Sequence, residues 1–132
     1  TGAVCGSKKD FQAGVTYIDA CLDSGRPVII GISYKDRAYN LDRKTDHFLI
    51  ITGRGVDEAG RVYYTYNDPG TFTSKPLATG RLYVDRDSMM LFTPNRPKYV
   101  HAGHSMQLSQ VRTYKDFSFE AQTGMKATPA TR

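Results

Sequence analysis

The alternation of apolar and polar residues divides the first half of the chain into a helix and three strands. Apolar residues recur at three- and four-residue spacing in DFQAGVTYIDACLDS, which predicts a helix over residues 10–24 that ends at Gly25. The run PVIIGISY, residues 27–34, has little polarity and is typical of a buried strand. Residues 47–52 and 62–66 are predicted to be two further strands, and the intervening GVDEAG indicates a β-hairpin.

The pattern weakens in the second half of the chain. Residues 82–84 and 89–92 are predicted to be short strands, whereas MQLSQVRTY, residues 106–114, fits either a strand or a short helix. The closing KATPATR predicts a loose tail from about residue 124. Because the chain is too short for two ordinary cores, residues 1–132 are expected to form a single domain.

The composition is that of a globular protein, with 39% hydrophobic, 11% aromatic and 23% charged residues. No apolar run approaches the roughly 20 residues that a membrane-spanning helix needs, so no membrane span is expected. The chain begins with Thr1 rather than Met, which suggests a processed or excised piece of a longer protein.

A formal net charge of +5 raises the question of nucleic-acid binding. The lysines and arginines are scattered, however, and form no dense cluster interleaved with stacking aromatic residues. The charge therefore favours a solvated basic surface, or attraction to an anionic partner such as a cell wall, over a nucleic-acid interface.

The spacing of cysteines and histidines does not resemble a metal site. Neither Cys5 nor Cys21 has a second Cys or His two to four residues away, and the two together allow one disulfide. His101 and His104 lie three residues apart, but no third ligand is evident nearby. We therefore expect no metal and no cofactor.

The predicted hairpin brings polar residues together at its open end. If its loop is centred between Asp57 and Glu58, His47 lies opposite Asp68 on the same face, and a one-residue bulge would substitute Asn67. An imidazole oriented by an acid can take a proton from a nucleophile through its other ring nitrogen. The alternative is that His47 merely opens a strand and that Asp68 merely starts a turn.

Three segments of the chain resemble a known enzyme family. DSGRPVIIGISY, then DHFLIITGRG, then VYYTYNDPG look like the C-terminal half of papain-like cysteine peptidases, in particular the bacteriocin-processing (double-glycine) peptidases and their relatives. The resemblance covers roughly residues 15–70. It implies an α+β papain-like fold, in which a helix packs on a twisted, mostly antiparallel sheet.

The resemblance also implies roles for individual residues. His47 resembles the general base and Asp68 the orienting acid, with Asn67 beside it. In that family the nucleophilic cysteine opens a helix well upstream, after a glutamine that contributes to the oxyanion hole. Only Cys5 precedes a helix here, without such a glutamine, while Cys21 lies in mid-helix, where a thiol usually acts as a small hydrophobe.

Three explanations for the nucleophile remain open. It lies in an upstream segment or a second chain, or Cys5 serves in a shortened fold, or catalysis has been lost and the scaffold kept. The function expected from the resemblance is cysteine-dependent hydrolysis of an amide bond in a peptide or in bacterial peptidoglycan. The alternatives are a non-catalytic binding module and, less favoured, a basic nucleic-acid-binding domain.

Overall fold

The computed structural model describes residues 2–34, 45, 47–68, 80–93 and 106–129, which contain two helices and seven strands. In chain order these are β1 (Gly2–Val4), α1 (Lys8–Asp23), β2 (Val28–Tyr34), β3 (His47–Val56), β4 (Val62–Asn67), β5 (Arg81–Asp85), β6 (Met90–Phe92), β7 (Met106–Arg112) and α2 (Phe119–Thr123). The ambiguous MQLSQVRTY segment thus contains a strand, while β1 and α2 were not predicted.

The strands form a closed antiparallel barrel. Strands β2 to β6 pair in chain order, and β7 closes the barrel because it pairs with both β6 and β2. The predicted α+β papain-like fold, a helix packed on a twisted sheet, is therefore wrong: strands dominate the described residues, and the sheet closes into a six-stranded barrel. Closure depends on pairings between strands that lie far apart in sequence, which no local pattern reveals.

Strand β7 joins the N-terminal strand β1 to the barrel. One edge of β7 pairs with β2. Its other edge pairs with β6 at Met106 and Gln107 and with β1 from Gln110 to Arg112. The register between β2 and β7 shifts by one residue at Ser109, which marks a β-bulge.

Helix α1 contacts β1, β2, β3 and β7 through one apolar face. Its N-cap is Ser7, whose side chain accepts a hydrogen bond from the Asp10 backbone N–H and so satisfies one of the first-turn donors. Gly25 follows the helix with φ of +79°, the left-handed conformation expected of the residue that ends it. The predicted helix is thus confirmed to within about two residues.

The β3–β4 hairpin was predicted correctly as an antiparallel pair, but beside the turn its register was three residues off, since Gly55 pairs with Tyr63. Asp57 nucleates the turn: its side chain accepts hydrogen bonds from the backbone N–H groups of Ala59 and Arg61, and Gly60 adopts φ of +82°. A bulge between Ile51 and Gly53 reduces the offset to two residues, so Ile51 faces Tyr66 rather than Tyr64. Beyond the bulge this even offset keeps the residues that face each other on the predicted face of the sheet.

The segment after α2 returns to the first strand. Gly124 ends α2 with φ of +73°, and the Val4 backbone N–H donates to the Thr128 carbonyl. Ala3 also forms an isolated bridge with Pro129. The segment predicted as a loose tail is therefore hydrogen-bonded to β1 as far as Pro129.

Candidate active site

His47 and Asp68 meet at one end of the barrel. Nε2 of His47 lies 2.6 Å from Oδ1 of Asp68, a hydrogen bond at the short end of the usual range. His47 is the first residue of β3, and Asp68 directly follows the last residue of β4. The structure thus brings together the two residues that sequence reasoning paired.

The register of the hairpin explains how the two side chains reach each other. Ile50 pairs with Asn67, so continuing the ladder places Asp68 beside Leu49, two residues from His47. The contact is diagonal rather than directly across the strands, a separation that a long side chain such as His can span. On its other side His47 pairs with Ile32, whose side chain is buried in the core.

The two side chains of the pair differ in solvent exposure. The Asp68 side chain is only 3% exposed, whereas 25% of the His47 side chain reaches the surface. A carboxylate is costly to bury unless a partner compensates its charge, and the imidazole is such a partner. A buried acid that orients a partly exposed imidazole is also the arrangement of the acid and the base in a Ser-His-Asp triad.

Asn67 is not part of this pair. It is directly opposite Ile50, and successive residues of a strand point to opposite faces of the sheet. Asn67 therefore projects away from the face that carries Asp68. The bulge at Thr52 shifts the register of the His47 end of β3 by one residue, and in the resulting register Asn67 pairs with Ile50 rather than with His47.

Cys5 lies in the hydrophobic core. Its side chain is fully buried, its Sγ–H donates to the Ala3 carbonyl at 3.6 Å, and its backbone N–H donates to Ser109. Burial, together with the negative charge of Asp10, raises the pKa of the Cys5 thiol to about 12. A reactive cysteine needs the opposite, an accessible thiol with a lowered pKa. Cys5 thus has the properties of a structural thiol.

Cys21 is also buried, and the two cysteines are both free rather than joined in a disulfide. Burial raises the pKa of the Cys21 thiol, and a hydrogen bond with Tyr17 opposes this effect. Neither thiol of the chain therefore resembles a nucleophile.

A second charged cluster, which sequence reasoning did not single out, lies toward the other end of β3. Arg54 contacts the carboxylates of Asp19 and Asp23 on α1, and the Tyr64 hydroxyl donates to Asp19 at 2.7 Å. The available signal was the pair of acids four residues apart on the helix, which places both on one face.

No group of three or more His, Cys, Asp or Glu side chains within the described ranges is arranged to hold a metal ion. His101 and His104 lie outside those ranges. None of the helices that the structure describes is both long and apolar enough to cross a membrane.

Comparison with known proteins does not assign the chain to a family. No family model matches it, and no curated protein or solved structure is significantly similar to it. The peptidase resemblance thus rests on the three short segments in which it was first seen, and the His47–Asp68 pair must be interpreted from its own geometry.

Proposed function

We propose that His47 and Asp68 are the base and the orienting acid of a cysteine-dependent amide hydrolase, whose thiol is supplied from outside these 132 residues. The observation that carries the proposal is the 2.6 Å contact between Nε2 of His47 and a carboxylate that is almost fully buried. The substrate class is a peptide or the peptide part of peptidoglycan, as the resemblance of the three short segments implies.

In the proposed mechanism each ring nitrogen of His47 has its own task. Nε2 is held by Asp68, and Nδ1 takes the proton from the thiol. The thiolate attacks the amide carbonyl carbon, and the tetrahedral intermediate collapses as Nδ1–H protonates the departing amine. Water, deprotonated by the same nitrogen, then hydrolyses the thioester and releases the acid and the thiol. Asp68 orients the imidazole and stabilises the imidazolium in both halves of the cycle.

The source of the thiol follows from the cysteine content. The chain contains two cysteines, and both are buried. An upstream segment or a second chain that presents a thiol beside His47 would complete the site. Such a thiol is best placed at a helix N-terminus, where the helix dipole lowers its pKa.

One alternative is favoured by a specific observation. The burial of both thiols also fits a non-catalytic module, in which the His47–Asp68 pair serves only to bind a ligand or to hold the end of the barrel. The two readings differ in one respect: only the hydrolase requires a thiol within hydrogen-bonding distance of His47.

Thiol-dependent hydrolysis tests the proposal. The natural gene product that contains residues 1–132 should cleave a fluorogenic peptide or purified peptidoglycan and should be inactivated by iodoacetamide. His47→Ala should lower kcat/KM by at least about 10³-fold, because removal of a general base typically costs 10²–10⁴. Mass spectrometry should locate the alkylated residue at a thiol other than Cys5 or Cys21.

Two matched controls separate catalysis from folding. Cys5→Ala and Cys21→Ala should retain activity, and the alkylation rate of Cys5 should not depend on His47. Alkylation of Cys5 that is rapid and that slows in the His47→Ala variant would instead make Cys5 the nucleophile. Hydrolysis that resists iodoacetamide, or no hydrolysis at all, would leave the binding module as the correct reading.

A further inference from the structure

A pocket lies beside the β3–β4 turn, far from the His47–Asp68 pair. Its volume is about 490 Å³, which is within the range of sites for small molecules. We call it the arginine pocket. The lining residues used in the argument are Arg54, Arg61, Val62, Tyr83, Arg86 and Phe92. Arg54 follows His47 by seven positions on β3, or about 23 Å at ~3.3 Å per residue, so one small ligand cannot occupy both places.

We propose that the arginine pocket binds a small anionic ligand, in which a carboxylate or a phosphate is joined to a flat apolar group. The proposal does not depend on the function of His47 and Asp68. It follows from the apolar walls of the pocket and from the unequal way in which its three arginines are neutralised.

The apolar part of the site is unusually exposed. Val62 is 53% exposed and Phe92 is 38% exposed, and these are two of the four large hydrophobic residues that lie exposed in the described part of the chain. The Phe92 ring stacks on Tyr83 with the ring centroids 5.3 Å apart and the planes tilted by 16°. The Tyr83 hydroxyl donates to Asp57, which fixes this aromatic pair as a rigid platform.

Two of the three arginines already have carboxylate partners. Arg54 contacts Asp19 and Asp23, and Arg61 contacts Asp57 while its guanidinium lies 4.8 Å from the centre of the Tyr83 ring. Hydrogen bonds from the Arg61 backbone and from Tyr83, together with the Arg61 charge, hold the pKa of Asp57 below its ordinary value. The carboxylate partners offset the charges of Arg54 and Arg61, so these two arginines supply no net positive charge to the pocket.

Arg86 differs, because it makes no ion pair with any carboxylate in the described part of the chain. Its neighbour Asp85 is engaged in the turn after β5, where it accepts hydrogen bonds from the backbone N–H groups of Asp87 and Ser88. Arg86 also acts on Tyr64 inside the pocket: burial and Asp19 raise the pKa of Tyr64, and the Arg86 charge opposes them. A ligand anion would therefore meet Arg86, with Arg61 beside it as a second donor.

Matched probes test each part of the proposal. Phenylacetate, phenyl phosphate and the neutral phenylacetamide are titrated into the ¹⁵N-labelled chain, and backbone amide shifts are followed by NMR. Saturable shifts are expected at Val62, Val84, Arg86 and Phe92, and phenylacetamide should bind about tenfold more weakly than phenylacetate, because it lacks the charge. If phenylacetate binds more tightly than phenyl phosphate, the pocket prefers a carboxylate, and if phenyl phosphate binds more tightly, it prefers a phosphate.

Variants then assign the interactions. Arg86→Gln should weaken phenylacetate about tenfold and leave phenylacetamide unchanged, whereas the matched control Arg112→Gln should change neither. Phe92→Ala should weaken all three probes, and its amide spectrum checks that the barrel is intact. Equal binding of phenylacetate and phenylacetamide, equal losses for Arg86→Gln and Arg112→Gln, or no saturable shift at about 10 mM would overturn the proposal.

Discussion

Strand β3 carries charged contacts toward both ends, and they differ in burial rather than in kind. At its beginning His47 meets Asp68, whose side chain is 3% exposed. Further along, Arg54 meets Asp19 and Asp23, whose side chains are 30% and 63% exposed. Exposed ion pairs cost little to form and contribute little, whereas a buried carboxylate carries a desolvation cost of several kcal/mol.

This difference indicates where a role other than folding is to be sought. Replacing a buried ion pair by apolar side chains is often neutral or stabilising, so a fold has little thermodynamic reason to keep one. The Arg54 contacts are explained by their position, since they fasten α1 to the hairpin. The His47–Asp68 pair joins β3 to the end of β4 at the cost of burying a carboxylate, and the catalytic or ligand-binding role proposed above would account for that cost.

The largest expected effect comes from neutralising Asp68, and the matched substitution toward the other end of β3 is Asp23→Asn. Asp68→Asn keeps the shape of the side chain but removes the charge that orients and stabilises the imidazolium, so kcat/KM should fall by roughly 10³–10⁴-fold. Asp23→Asn should change kcat/KM by less than about twofold, because its carboxylate is exposed and remote from His47. Similar losses for the two variants, measured on the same substrate, would erase the distinction between the two ends.

The second effect is the pH dependence of stability that the buried Cys5 thiol causes. The pKa of Cys5 is raised from 9.0 to about 12, so its contribution to stability is complete below pH 9 and is lost as the pH rises through 12. The three-unit difference corresponds to at most about 4 kcal/mol. Urea unfolding across this interval should therefore show a steeper loss of stability for the wild type than for Cys5→Ala. Parallel curves would mean that Cys5 ionises in the folded protein as readily as in the unfolded chain.

The third effect concerns the one buried hydroxyl in the Arg54 cluster. Tyr64 is 4% exposed and donates to Asp19, so Tyr64→Phe removes a hydrogen bond to a charged group and should lower the free energy of unfolding by about 1.5 kcal/mol. Asp19 keeps Arg54 as a partner, which limits the loss. Tyr63→Phe, on the neighbouring residue of the same strand, is the matched control and should cost less. A loss below about 0.5 kcal/mol for Tyr64→Phe would show that water replaces the hydrogen bond fully.

Sequence reasoning reached the elements of the first half because their signals are local. The apolar spacing of α1, the β-branched run of β2 and the two strands of the hairpin each lie within a short window. The meeting of His47 and Asp68 was predicted for the same reason, since both lie on one hairpin. The register was off because the turn is centred on Ala59 rather than between Asp57 and Glu58, which displaces the pairing by three residues, and a bulge after Ile51 then reduces the offset to two.

The barrel and the second charged cluster depend on contacts that no short window contains. Strand β7 pairs with β2 across more than seventy residues, and Asp19 meets Arg54 from a different element. The burial of Cys5 likewise arises from β1, β7 and α1 together: a Cβ placed on Gly14 would lie 2.5 Å from its Sγ. Its position before a helix made it a candidate nucleophile, but tertiary packing decides its exposure and hence its pKa.

The smallest expected effect is that of Arg54 itself. Its side chain is 34% exposed, so water already solvates much of the guanidinium, and each exposed ion pair contributes about 0.2–1 kcal/mol. Arg54→Gln should therefore lower the free energy of unfolding by no more than about 1 kcal/mol, and 1 M salt should remove most of that difference by screening. The coupling between Arg54→Gln and Asp23→Asn in a double-mutant cycle should be about 0.5 kcal/mol. A salt-independent coupling of several kcal/mol would show that this cluster is as protected from water as Asp68, and burial would no longer distinguish the two ends of β3.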